Sequence, residues 1–406
     1  METPAVWLLP FAALLLSIAI LPLAVPRRWG RPGFQALVAG LAALPVAVGR
    51  PDALGHAAPE YVSFVLLLGS LYVVASGIRV TGDIPAHPST NVGLLLLGGV
   101  LASIIGTTGA SILLIGLVLE VNSERKNVSH TVLFFILIVS NVGGCLTPLG
   151  DPPLFLGYLA GVPFFWTLRL AGEWALALAL LLGTYTFVER RRYAAEPREA
   201  LRADETTIRP IRLAGRWNLP LLCGIVAATA FLGPPYREAA YLACAALSFP
   251  LTPRGQRTET RFSWHPILEV AILFAGIFVT MEPALAVLRE RAPTLGLTRP
   301  WQFFWATGAL SAWLDNAPTY AAFLALARGL GRPEVAGVPE KVLEAISTGA
   351  VFFGALTYIG NGPNFLVRSI AVSRGVAMPS FFGYAARAAA VLLPLFALIT
   401  FLFFPV

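Results

Sequence analysis

Apolar windows of about twenty residues, each long enough to cross ~30 Å of hydrocarbon, recur from one end of this 406-residue chain to the other. No other feature constrains the fold as strongly. In lipid the backbone must satisfy its own polar groups, so a spanning segment is either a helix or a strand of a closed barrel. A barrel would show ~10-residue alternating strands, and none are visible. Charge content agrees, with 13% charged and 57% hydrophobic residues against ~25% charged in soluble domains. The chain reads as an all-α polytopic membrane protein. The run "VWLLPFAALLLSIAILPLAV" lacks the basic flank and small-residue cleavage site of a signal peptide and is expected to be a retained first span.

Polar breaks divide the apolar sequence into spans near 5–24, 33–49, 60–79, 130–160 and 164–188, and again near 218–233, 236–251, 265–288, 341–372 and 382–404. Between the third and fourth span of each set lies one further apolar stretch, 91–121 and 300–330, interrupted by "GTTGAS" (106–111) and "LDNAPT" (314–319). These read as re-entrant helical hairpins. Two short full crossings would fit the length equally, and either arrangement adds an even number of passes.

The segment 189–216 carries eight arginines against five acids and is expected to be a cytoplasmic linker. Counting outward from it puts Arg27, Arg28, Arg31, Arg125, Lys126, Arg254, Arg257, Arg261 and Arg374 inside, and both termini outside. Only the 289–299 loop, with Arg289, Arg291 and Arg299, breaks the pattern. Five crossings per half is an odd number, so the second half must run inverted. The predicted organisation is a first repeat (1–188), a basic linker (189–217) and a second, inverted repeat (218–406), each repeat with five transmembrane helices, one re-entrant hairpin and one broken helix.

The repeat is visible in its most unusual residues. "LTPLGDPPLF" (146–155) and "LTYIGNGPNF" (356–365) share Leu, Thr, Gly, Pro and Phe at an offset of 210. Pro148 and Gly150 break the helix, and Asp151 before Pro152 and Pro153 reads as an N-cap with proline in the first turn. Freed carbonyls at such a break suit a cation and freed N–H groups suit an anion.

Acids inside a membrane span are functional candidates by default. Asp151 lies in the first broken helix and Asp315 at the second hairpin tip, and their repeat counterparts are uncharged Asn361 and Gly106. Ionised, either acid would make a Na⁺ site; protonated, either would carry H⁺. The bland alternative for both is helix capping. Arg169 and Glu173 are spaced for an i,i+4 pair, while Glu120, Glu269 and Arg387 fall near span ends, where long side chains snorkel. No H-E-x-x-H or G-x-S-x-G occurs, so an intramembrane hydrolase is not expected. Cys145, Cys223 and Cys244 lack metal-ligand spacing and read as small buried hydrophobes. The net charge of +7 sits in inter-span loops, so nucleic acid is not an expected partner.

At "SNVGGCLTPLGDPPLFLGYLAGVPFFWTL" (140–168), "LDNAPTY" and "GALTYIGNGPNF" the sequence resembles the ion transporter superfamily. The similarity points to members labelled putative citrate transporters or NhaD-type sodium:proton antiporters, and it covers nearly the whole chain. It implies secondary active transport in the bacterial inner membrane, no enzymatic activity and no cofactor beyond transported or coupling Na⁺ and H⁺. It also implies a homodimer, and small ions or a small carboxylate as cargo. By position it assigns one site to Thr107, Thr108, Ser140, Asn141, Thr147, Gly150 and Asp151. A second site would use Asp315, Asn316, Thr319, Thr357, Gly360, Asn361 and Asn364, with Asp151 and Asp315 as Na⁺ ligands. The Ser-Asn-Thr tips of the carboxylate symporters are replaced here by "GTTGAS" and "LDNAPT". On these grounds the expected activity is sodium/proton antiport, with citrate or dicarboxylate symport as the rival.

Overall fold

Proline places many of the helix starts in the computed structural model, which describes residues 3–206, 208–259, 262–331 and 334–405. Arg261, one of the charges used above for sidedness, lies outside these residues. At the first helical position proline forfeits no hydrogen bond and brings a helical φ. The chain opens with α1 (Leu8–Ala24), α2 (Pro26–Trp29), α3 (Pro32–Gly49) and α4 (Pro51–Ser76), then a strand, β1 (Arg79–Asp83). Next come α5 (Pro88–Ile105), α6 (Thr107–Val121), α7 (Ser129–Ile138), α8 (Pro152–Leu159) and α9 (Ala171–Ala194). The linker forms α10 (Arg198–Thr206) and β2 (Arg209–Ala214). The second half contains α11 (Asn218–Phe231), α12 (Tyr236–Leu251), α13 (Gln256–Glu259), α14 (His265–Arg291), α15 (Pro300–Ser311) and α16 (Asn316–Arg328). It ends with α17 (Glu340–Phe353), α18 (Gly362–Ser373) and α19 (Phe381–Phe403). Proline stands in the first turn of α2, α3, α4, α5, α8, α14, α15 and α18.

Among the described residues, seven helical stretches are long and apolar enough to cross a membrane, including Pro51–Ser76, His265–Thr294 and Phe381–Phe403. Their outward faces are apolar: Leu41 is 63% exposed, Val48 75% and Phe401 77%. So much exposed hydrocarbon surface belongs in lipid. The protein is an integral membrane protein.

Three details differ from the sequence reading. The third span begins at Pro51, not near residue 60. Asp52, His56 and Glu60 do not interrupt it because they share an exposed face, while Ala53, Ala57 and Phe64 are buried on the other. The chain is also not purely helical, since β1 and β2 pair antiparallel with Thr81 opposite Arg212. This ribbon folds the linker back onto the segment that precedes α5. Finally, Arg169 pairs with Glu340 at 2.9 Å rather than with Glu173, so a tertiary partner wins over the i,i+4 spacing. Among the acids expected to snorkel, Glu120 lies 3.5 Å from Arg209 and Glu269 accepts from Gln35 at 2.8 Å.

Two helix pairs and two interrupted helices occupy the centre. α5 and α6 turn at Gly106, α15 and α16 at residues 312–315, and the interruptions fall between α7 and α8 and between α17 and α18. The halves interlock, because α8 packs on α16 and α18 on α6. Around them α14 packs against α1, α3 and α4.

Candidate functional site

Each interruption is held by the same device in both halves. The Thr147 hydroxyl donates to the Ser103 carbonyl at the end of α5 at 2.5 Å, and the Thr357 hydroxyl donates to the Ala312 carbonyl beyond α15 at 2.5 Å. Each threonine oxygen also accepts a backbone N–H two residues on, from Leu149 and Ile359. Glycines make the close approaches possible. A Cβ on Gly150 would strike the Gly144 carbonyl, and one on Gly360 would sit 2.7 Å from the Gly354 carbonyl. Gly106 turns at φ +81°, a conformation that favours glycine. This turn lets the Thr107 N–H donate to the Gly150 carbonyl at 2.8 Å, fixing the first tip against the first break.

Asp151 and Asn361 start α8 and α18 in nearly the same backbone conformation, φ −145°, ψ 144° and φ −152°, ψ 138°. Neither side chain caps its own helix. The Asp151 carboxylate, 1% exposed, accepts three side-chain hydrogen bonds. Thr107 Oγ1 and Asn361 Nδ2 donate to Oδ1, both at 2.9 Å, and Asn316 Nδ2 donates to Oδ2 at 2.6 Å. One donor comes from each hairpin tip and one from the opposite break. They replace the hydration that burial removes.

The network continues through amides. Asn361 Nδ2 also reaches the Ser140 carbonyl at 3.0 Å and Asn141 Oδ1 at 3.3 Å. Asn141 Nδ2 donates to Asn364 Oδ1 at 2.7 Å, and Asn364 Nδ2 to the carbonyls of Gly354 and Thr357 at 2.8 and 2.9 Å. Of the residues expected to form two sites, Thr107, Ser140, Asn141, Asp151, Asn316, Asn361 and Asn364 are therefore linked in one cluster about Asp151.

Asp315 behaves differently. Its carboxylate accepts the Ala317 N–H at 3.0 Å and caps α16. Thr319 Oγ1 donates back to the Asp315 carbonyl at 2.9 Å. Thr108 lines the adjoining cavity, while Thr147, Thr357, Gly150 and Gly360 hold the breaks in shape. Ser103 and Ser111 escaped the sequence reading. Ser103 Oγ donates to the Gly143 carbonyl at 2.5 Å, and Ser111 Oγ lies 2.9 Å from Ser140 Oγ. Their signal was positional: each sits four residues from Thr107, one helical turn to either side of the tip.

A cavity of about 130 Å³ adjoins the cluster. The tips and breaks form one wall, with Thr107, Thr108, Asp315, Asn316 and Asn361; α4 and α14 form the other, with Tyr72, Val270 and Phe274. The N-termini of α6, α16 and α18 face it, and among the described residues no lysine or arginine lines it. Among the described residues no group of three His, Cys, Asp or Glu side chains could hold a metal ion. An ion here would be bound by one carboxylate with amide, hydroxyl and carbonyl oxygens.

A polar cluster buried where interrupted helices meet is an arrangement common among secondary transporters. The chain matches the family described as "Putative citrate transport" over residues 1–404 and belongs to it. No curated protein matches the chain.

Proposed function

We propose that this protein exchanges Na⁺ for H⁺ by alternating access, with Asp151 holding the two ions in turn. One observation carries the reading: a buried carboxylate is held by groups from both halves, beside a cavity with no lysine or arginine among its described lining residues. When the acid is protonated or metal-bound, the amide of Asn316 can rotate to present oxygen in place of N–H, while Asn361 Nδ2 keeps its bonds to the Ser140 carbonyl and Asn141 Oδ1. With the carboxylate and Thr107 Oγ1, the Asn316 oxygen then offers oxygen ligands suited to a hard cation. Asp315 adds negative charge at the cavity wall.

The matching threonine ties, the paired glycines and the shared backbone of Asp151 and Asn361 support two inverted repeats, 1–188 and 218–406, joined by the linker 189–217. On this reading α5–α6 and α15–α16 are re-entrant hairpins. They move together with the broken helices against a scaffold that includes α4 and α14. The arginine distribution supports a cytoplasmic linker, with both termini on the far side of a bacterial inner membrane, and the resemblance supports a homodimer.

A second reading, cation- or proton-coupled citrate symport, is favoured by the family description and by the three helix N-termini at the cavity, which suit carboxylate oxygens. Reconstituted vesicles separate the two. Na⁺ added to acid-loaded vesicles should raise the lumenal pH reported by a trapped dye, with no uptake of labelled citrate. Citrate accumulation with an Na⁺-indifferent lumen would overturn antiport.

A further inference from the structure

Two arginines lie within the apolar part of the second half and take no part in the cavity. Arg368 is six residues past the break at which α18 starts and Arg387 six residues into α19, so both lie within helices rather than in loops. A charge inside a span is costly unless it is partnered. Arg368 lies over the Tyr358 ring with its guanidinium carbon 5.0 Å from the centroid, and Tyr358 stacks on Tyr384 at 4.1 Å. Arg387 follows Tyr384 by one helical turn, and both guanidinium groups are within electrostatic reach of Tyr358.

Among the described residues no carboxylate forms an ion pair with either arginine. Nε of Arg368 is buried without a hydrogen-bond partner. α18 and α19 pack on α6, α7 and α9. Of the acids there, Glu120 is near Arg209 and Glu189 binds Arg125 and His130, while Glu173 follows Gly172, which packs on Phe403 at the far end of α19. Neither arginine lines the cavity, so the cargo does not neutralise them there.

Among the described residues nothing supplies the counter-charge, and the surroundings point outward. Arg387 is on an exposed face of α19, and Phe365 on α18 and Phe382 on α19 are 54% and 74% exposed. Such a surface faces lipid. We propose that Arg368 and Arg387 bind the phosphate of an anionic phospholipid at the Tyr358–Tyr384 stack. A guanidinium fork matches phosphate oxygens in pairs, and the stacked rings give the headgroup a rigid floor.

The test follows thermal stability and native mass of the full-length protein in neutral detergent. Phosphatidylglycerol, phosphatidylcholine, inorganic phosphate and citrate are titrated separately. The expected result is a rise in melting temperature and a retained lipid mass with phosphatidylglycerol only. Arg368→Gln and Arg387→Gln should each weaken that binding roughly fivefold, the equivalent of ~1 kcal/mol. If a variant does not fold, the wild-type contrast between phosphatidylglycerol and phosphatidylcholine still decides. Equal effects of the two lipids would overturn the proposal, as would unchanged phosphatidylglycerol binding in both variants. An equal effect of inorganic phosphate or citrate would assign the arginines to a free anion instead. A dimer that dissociates on Arg387→Gln would assign them to a second copy of the chain.

Discussion

Asp151 and Asp315 occupy the same formal position, the residue before a short helix in the middle of a membrane protein, yet they spend their carboxylates differently. Asp315 caps: it accepts the Ala317 N–H. Asp151 leaves its own helix uncapped and takes side-chain donors from Thr107, Asn316 and Asn361. Backbone capping is a local job that Asn performs as well as Asp. Collecting three side chains from two tips and the opposite break is not local, and it ties the carboxylate's charge to the arrangement of both halves. The contrast makes Asp151 the better candidate for an ion carrier and Asp315 the better candidate for a structural cap.

The sharpest way to break that contrast is Asp151→Asn. Transport should fall at least ~100-fold, beyond the usual loss for a residue that only orients a ligand, while melting temperature and detergent monodispersity stay near wild type. Vesicle pH-dye assays measure the first and thermal unfolding the second. Full turnover in this variant would reduce Asp151 to a structural hydrogen-bond acceptor, with no ion to carry. Next in size is Asn361→Ala, which removes one of the three donors. It should raise the Na⁺ concentration for half-maximal exchange by roughly 10–100-fold and leave the maximal rate less affected. An unchanged half-saturation would detach Asn361 from the ion.

Asp315 provides the reverse test. Asp315→Ala should lower stability by about 1 kcal/mol through loss of the cap, and Asp315→Asn by only a few tenths. Exchange by the Asn variant should remain within a few-fold of wild type. Loss of exchange comparable with Asp151→Asn would show that both acids carry ions, and the distinction drawn here would fail.

The breaks were legible because they violate a strong local rule. Proline and glycine inside apolar runs stand out, and the 210-residue offset showed that the violation occurs twice. The partners of Asp151 were not legible as partners, since Asn316 and Asn361 are 165 and 210 residues away. Sequence placed them in a second site because repeat position groups residues by half, whereas the fold groups them by where the tips and breaks cross. The same limit explains Arg169: its partner Glu340 is on a different element, and helix spacing favoured Glu173. Ser103 and Ser111 lay hidden among many small helical residues. The β1–β2 ribbon is five and six residues long, too short to rise above its arginine-rich surroundings.

The smallest expected effect comes from an acid outside the membrane that works as Asp315 does. Asp204 on α10 accepts the Ala86 N–H with both carboxylate oxygens, at 2.9 and 3.2 Å, clasping the linker to the segment before α5. Burial pushes its pKa above the usual carboxylate value, with the Ala86 hydrogen bond opposing. The folded state therefore holds this proton more tightly than the unfolded chain does. The resulting stability is complete below about pH 4, near the ordinary value of ~3.9, and is lost as pH rises through the higher folded value. Asp204→Asn cannot titrate, so the stability difference between wild type and variant should change over that window and be flat above it. Asp204 is itself buried, on a helix whose Arg202, Glu205 and Thr206 are exposed, so the change should be small. Hydrogen exchange at the Ala86 amide, compared between the two proteins from pH 4 to 7, measures it locally. A difference that is constant with pH would mean that the clasp holds through hydrogen bonding alone, as the Asp315 cap is argued to do, with no contribution from the proton.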